Sequence, residues 1–177
     1  MVAVLLMNGG NGSGGVPYGI TFAGGEFKYN FGSKNEQFSI IGFDNNDNLV
    51  LGRYTQAEAK EIGIRDAVTF SPFLIVNGKS SEVQGNGGWG YGPRTAIGQR
   101  ADKIVLFLVI DGRRVNKQGA SMGDLIDIFE RYGAINAANL DGGTSSAMVV
   151  NNKIINDPMD ASGNHRTRPV ATSFIFK

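Results

Sequence analysis

The segment INAANLDGGTSSAMVV, residues 135–150, runs small apolar residues into Asp141, then places Gly142 and Gly143, then the hydroxyls of Thr144, Ser145 and Ser146, before strand-like residues resume. A second segment, VLFLVIDGR, delivers Asp111 in the same manner, ahead of Gly112 and Arg113. A carboxylate at the end of a buried strand emerges at the rim of a sheet, held rigidly yet reachable by solvent or substrate. Glycines after it let the backbone turn sharply and can expose N–H groups to an anion or a sugar hydroxyl. A lone Asp-Gly pair more often makes only a turn, which is the ordinary reading of Asp111 by itself. Asp141 carries too much neighbouring polar chemistry for a plain turn and reads as functional.

Arginines supply the opposite charge. Arg94 opens RTAIG, Arg113 follows Asp111-Gly112, and Arg166 and Arg168 lie in HRTRP before the last apolar stretch. A planar guanidinium suits two-point contact with phosphate or carboxylate. Arg94 and Arg168 sit where a glycine-rich or polar loop enters a strand and are the stronger candidates; Arg114 and Arg166 read as solvated surface arginines. His165 is the sole histidine, which excludes a multi-histidine metal site, and its loop position reads as exposed and inert. The glycine loops at 9–15 and 85–92 lack the strand, glycine and helix context of a nucleotide-binding fingerprint.

The elements that must position these groups follow from pattern. Gly24-Gly25 lies between alternating apolar residues, and Asn45-Asn46-Asp47 between EQFSIIGFD and NLVLGRY, so the first part of the chain reads as antiparallel hairpins. Thr55 and Glu58 have capping-box spacing, with Gly63 at the stop, giving a helix over about 55–63. Ser121, Asp124 and Gly133 frame a second over 121–132, with an apolar stripe of Met122, Leu125, Ile126, Phe129 and Tyr132. Ile104 to Ile110 is an unbroken apolar run that reads as a central strand covered on both faces. Asn151-Asn152 suggests another hairpin, and RPVATSFIFK a closing strand. The fold class is therefore α+β: a largely antiparallel or mixed twisted sheet packed against two main helices. The 177 residues read as a single domain.

Bulk composition narrows the partners. The 17 basic and 16 acidic residues leave a net charge of +1, so nothing argues for nucleic acid or a membrane surface. There is no cysteine, hence no disulfide framework or thiolate zinc site, and the compartment stays open. MVAVLLM is too short to span a membrane and lacks the features of a signal peptide, so it reads as a buried strand. Glycine is abundant, 26 of 177 residues, without a repeat; many backbone positions need positive φ or close approach.

Four motifs in order, PRTAIGQ, LFLVIDGR, the amphipathic helix leading into YGAINAANLDGGTSSAMV, and RTRPVATSFIF, resemble the phosphodiester glycosidase family across Pro93 to Phe176. PYGITFAGGEFKYN and GIRDAVTFSPFLIVNGK are similar to its bacterial and phage-associated branch. The resemblance implies hydrolysis of a sugar-1-phosphodiester, giving free sugar and a phosphomonoester. It points to Arg94, Thr95, Asp111, Arg113, Asp141, Gly142, Gly143, Ser145 and Arg168, of which we take Asp141, Asp111, Arg94 and Arg168 as catalytic. Substrate contacts would come from Asn8, Gly9, Gly10, Thr95, Arg113, Gly142, Gly143, Thr144 and Ser145. One departure is visible: family members follow an Asn-x-Gly motif with aromatic residues, whereas Asn8-Gly9-Gly10 is followed by Asn11. The beginning therefore reads as a shortened version, with an uncovered sheet edge that favours self-association.

Attack at the anomeric carbon expels a phosphate ester, a good leaving group, so arginines could replace a strong general acid. In this reading Arg94 and Arg168 grip the phosphate and Asp141 activates water or stabilises an oxocarbenium-like transition state. Asp111 is a second carboxylate or orients an arginine. The alternative is a non-catalytic glycan-binding or phage-structural domain that keeps the cleft. Cleavage at phosphorus would normally want a metal cluster. The sequence requires no cofactor and leaves room only for an all-oxygen divalent cation site.

Overall fold

A computed structural model describes residues 4–8, 16–30, 33, 35–83 and 86–176. In chain order the strands are β1 (Val4–Asn8), β2 (Ile20–Ala23), β3 (Glu26–Asn30), β4 (Phe38–Asp44), β5 (Leu49–Tyr54), β6 (Ile64–Thr69), β7 (Phe73–Val76), β8 (Lys79–Ser80), β9 (Arg94–Arg100), β10 (Val105–Ile110), β11 (Ala134–Leu140), β12 (Met148–Val150), β13 (Lys153–Ile154) and β14 (Thr172–Phe176). Helix α1 (Gln56–Glu61) precedes β6, and α2 (Met122–Arg131) precedes β11. The strands form three sheets, ordered β3-β2-β6-β4-β5, β10-β9-β11-β7-β8 and β13-β12-β1-β14. Every pairing of these strands is antiparallel.

The α+β class holds, but one sheet against two helices is too simple. The two five-stranded sheets pack face to face, and each carries one helix on its outer face. Period-two alternation produces this layering. In β9, Ala96 faces the core under α2 while Ile97 faces the opposite sheet; in β11, Ala137 and Ala138 divide in the same way. On the other sheet, Ile41 and Val68 enter the central layer, whereas Ile40 and Ala67 pack with Ala59 of α1. Small residues in β9 and β11 let the layers approach closely. A Cβ at Gly98 would lie 2.6 Å from the ring of Phe129, so that glycine admits the largest side chain of α2 to the sheet.

Both helices begin with complete capping boxes, Thr55 with Glu58 and Ser121 with Asp124. Gly63 and Gly133 follow them with φ of 76° and 74°, the left-handed conformation that stops a helix. The hairpin turns at Gly24-Gly25 and Asn151-Asn152 have positive φ at both residues, the type I′ geometry that fits strand twist.

The apolar run before Asp111 is not a central strand. β10 is the edge of its sheet, paired only with β9, while β9 and β11 occupy the interior. Its continuous hydrophobicity has another cause: Leu106, Leu108 and Ile110 pack on the α2 core, and Val105, Phe107 and Val109 on the core between the sheets. Among the described residues no helix is long and apolar enough to cross a membrane.

Candidate active site

Antiparallel register gathers the predicted groups at one end of one sheet. Ile110 of β10 pairs with Arg94 at the start of β9, and Leu140 of β11 pairs with Thr95. Asp111 and Asp141 therefore leave their strands on either side of Arg94. With neighbouring strands about 4.8 Å apart, the two aspartate backbones stand about 10 Å from one another.

After Asp141 the chain forms a single 3-10 turn, Gly143–Ser145. The glycines serve close approach: a Cβ at Gly142 would lie 2.6 Å from the Pro93 carbonyl oxygen, and one at Gly143 2.8 Å from Arg113 Nη2. The expected role of these glycines in offering N–H groups to an anion is revised at Gly143, whose N–H donates to Pro93 O at 2.9 Å. The N–H groups of Ser145 and Ser146 donate within the turn, to Gly142 O and Gly143 O.

The hydroxyls organise arginines. Arg168 donates from Nε to Ser145 Oγ at 2.6 Å and from Nη2 to Asp141 Oδ2. Arg113 donates from Nη1 to Thr144 Oγ1 and to Met159 O, each at 3.1 Å. It does so from φ of 64°, an uncommon conformation for a residue with a side chain and one that concentrates at functional sites. Ser145 is fully buried, and the Asp141 side chain keeps 16% of its exposure against 45% for Arg168. The pair thus has one inner member and one that faces solvent.

Arg94 is 8% exposed. Its Nε donates to Ala120 O at 2.9 Å, and its Nη2 to Trp89 O at 3.0 Å and Gly90 O at 2.7 Å. Among the described residues it is ion-paired with no carboxylate. Burial draws its pKa below the usual arginine value, yet a guanidinium remains charged at any ordinary pH. An unbalanced buried cation is costly and attracts an anion. Among the described residues three buried polar atoms nearby also lack a partner: Thr95 Oγ1, Ser146 Oγ and Asn139 Oδ1. Orphaned polar atoms are rare in folded proteins, and here three of the five among the described residues belong to the start of β9, the end of β11 and the turn after it.

Sequence comparison places the chain in a family. A model of the phosphodiester glycosidase family matches residues 2–177. The chain belongs to that family. The SPbeta prophage-derived uncharacterized protein YomE of Bacillus subtilis strain 168 is 35% identical over 102 residues, which cover 55% of this chain and 16% of YomE. In fold, the chain resembles the zebrafish N-acetylglucosamine-1-phosphodiester alpha-N-acetylglucosaminidase catalytic domain auto-inhibited by its pro-peptide. That match has a TM-score of 0.74 and 20% identity, over 98% of this chain and 61% of the zebrafish chain. A hypothetical protein from Synechocystis shares the fold more loosely, with a TM-score of 0.53 and 13% identity over 88% of this chain and 49% of the other. The chain thus spans less than two thirds of the length of these relatives.

Within this member of the phosphodiester glycosidase family, Asp111 occupies a supporting position. Its carboxylate accepts from Asn156 Nδ2 at 2.9 Å and from the Asp157 N–H at 3.0 and 3.1 Å. Asp157 in turn pairs with Arg114, and lies 2.6 Å from His165 Nδ1. Arg114 is therefore not the solvated arginine expected: its side chain is 28% exposed and its Nε is buried without a partner. His165 is exposed, as expected of its loop. Arg166 is largely solvated, but holds Asp160 at 2.6 Å. Asn8 ends β1 opposite Thr172, four residues beyond Arg168; Gly9 and Gly10 lie outside the described residues.

Sequence reasoning missed Asn156, Asp157 and Asp160, which fasten the loop carrying His165 to Arg168. The signal was the polar density of NDPMDASGN. Asp160 accepts the N–H groups of Asn164 and Ser162, and its carboxyl is held down to about pH 2, first by the Asn164 N–H, then by the Asn164 side chain, Ser162 and Arg166. Among the described residues no three His, Cys, Asp or Glu side chains converge to hold a metal ion.

Proposed function

We propose that the chain hydrolyses a sugar-1-phosphodiester at the glycosidic bond. The observation that carries this reading is the Asp141, Ser145 and Arg168 contact set beside the buried Arg94, in a chain of the phosphodiester glycosidase family. Water oxygen bonds to the anomeric carbon and gives its proton to Asp141, while the bond from that carbon to the phosphate oxygen breaks and the phosphomonoester leaves with the electron pair. Negative charge grows on the phosphate as positive charge grows at the sugar ring. Arg168 and Arg94 neutralise the departing phosphate. A guanidinium has five N–H donors; among the described residues the Nη1 hydrogens of Arg94 meet no acceptor, its Nε and Nη2 being engaged.

Asp141, oriented by Arg168, faces the developing positive charge and positions the attacking water. Asp111 acts as a positioning residue, because its oxygens already accept three hydrogen bonds from the segment at 156–157. Thr144 and Ser145 fix the two arginines instead of contacting substrate first, and Gly142 and Gly143 bring the turn against Pro93 and Arg113.

The test is product analysis on a panel of synthetic sugar-1-phosphodiesters differing in the sugar. Equal release of reducing sugar and phosphomonoester is expected from at least one. Binding of such diesters without either product would instead favour the glycan-binding alternative.

A further inference from the structure

A cavity lies next to these residues and has no part in the chemistry just described. It encloses about 270 Å³ and is lined by Trp89, Tyr18, Phe38, Gln37, Arg53 and Ser71, among others. That is just under the roughly 300–1,000 Å³ of pockets for drug-sized ligands, a size suited to one sugar ring. Trp89 is 51% exposed although it is the largest side chain in the molecule. Tyr18 stands edge-on to Phe38, their centroids 5.8 Å apart, which stiffens the aromatic wall. Arg53 donates from Nη2 to Gln37 O at 3.2 Å, a contact between two lining residues that steadies the guanidinium.

The lining combines a broad aromatic face with amide, guanidinium and hydroxyl groups at its margin. Such a surface matches a ligand with an apolar face of C–H bonds and an edge of hydroxyls. A nucleobase would also stack, but a strand of nucleic acid requires a basic groove along its backbone. Here the one arginine is balanced by Glu36 in the same lining.

Two hydrogen bonds join the cavity to the candidate active site. The Trp89 carbonyl accepts from Arg94 Nη2 at 3.0 Å, and the Ser71 carbonyl accepts from Asn139 Nδ2 at 3.1 Å. Asn139 is 2% exposed, its Oδ1 has no partner among the described residues, and it stands two residues before Asp141. We propose that this cavity is a carbohydrate subsite that seats a neutral pyranose unit of a glycan against Trp89. It holds the glycan whether or not turnover occurs at Asp141.

Trp89 is the only tryptophan, so the tryptophan fluorescence comes from this one residue of the cavity. The experiment titrates the chain with neutral trisaccharides of glucose, mannose, galactose and N-acetylglucosamine, up to about 10 mM, tenfold above a ~1 mM Kd. At least one should quench or blue-shift the emission in a saturable way. Arg53→Ala should weaken that response at least about tenfold, the scale of one lost charged hydrogen bond, with the Tm unchanged. Trp89→Phe keeps a ring and should still bind by calorimetry, whereas Trp89→Ala should not. Asp141→Asn should bind as the parent does, which separates this subsite from the hydrolytic reading. No response to any of the four sugars would overturn the proposal. So would a response that survives Arg53→Ala but disappears in Arg168→Ala, because the sugar would then lie on the catalytic turn.

Discussion

Arg168 and Asp141 lie 27 residues apart and meet through Arg168 Nη2, while Arg168 Nε holds Ser145 in the same turn. One planar side chain thus fixes both the carboxylate and the turn that follows it. Lysine keeps the charge but cannot make both contacts. Arg168→Lys should lower kcat/KM about 10- to 100-fold, and Ser145→Ala should lower it less. Asp141→Asn should lower kcat by about 10²–10⁴, the range for a positioned acid or base. Initial rates on the diester cleaved fastest, with Tm as a folding check, measure all three. Unchanged kcat in Asp141→Asn would remove that carboxylate from the mechanism.

Thr95 is fully buried and its Oγ1 has no partner among the described residues. A buried hydroxyl without a hydrogen bond costs about 1–3 kcal/mol. Thr95→Val should therefore raise the stability of the ligand-free protein by about 1–2 kcal/mol and lower kcat/KM about tenfold. Chemical denaturation and rates on the same preparation measure both. A less stable variant would mean that the hydroxyl serves the fold instead of the ligand.

Two glycines should respond oppositely to alanine. At Gly142 the new Cβ meets the Pro93 carbonyl oxygen at 2.6 Å, a backbone atom that cannot swing aside. Gly142→Ala should cost about 1–3 kcal/mol, the range for overpacking. At Gly123, inside α2, the nearest atom would be Ser121 Oγ at 3.6 Å, an ordinary contact. Gly123→Ala should stabilise by about 0.5–1 kcal/mol through helix propensity. Thermal unfolding of the two variants distinguishes close approach from mere flexibility.

Asp160 provides a pH test of the loop that carries Arg168. Its folded pKa, about 2, lies below the ordinary value of 3.8. The contribution to stability is therefore complete above about pH 4 and is lost as pH falls through about 2. Asp160→Asn should be less stable than the parent at neutral pH, and the gap between their melting temperatures should narrow between about pH 4 and pH 2. A gap that stays constant with pH would mean that the carboxylate's charge does not fasten the loop.

The local signals in this sequence were strong where one residue type meets one backbone requirement. Thr55 and Ser121 cap their helices, Gly63 and Gly133 end them, and Gly24-Gly25 turns a hairpin. Long-range order was weaker. Nothing in VLFLVI distinguishes an edge strand covered on both faces from an interior one, because burial on the faces and pairing at the edges are separate properties. At the site, Asp141 with its hydroxyls stood out, but which arginine each hydroxyl accepts from depends on how residues 156–168 fold back. Arg94 illustrates the limit: RTAIG marks a cation entering a strand, while its use in holding the carbonyls of Trp89, Gly90 and Ala120 appears only in three dimensions.

The central claim concerns which bond breaks. The chain should be incubated with a cleaved sugar-1-phosphodiester in heavy-oxygen water and both products weighed by mass spectrometry, with a check for spontaneous exchange into the free sugar. The account predicts one heavy oxygen in the sugar and none in the phosphomonoester. Heavy oxygen in the phosphomonoester would place the attack at phosphorus and contradict it.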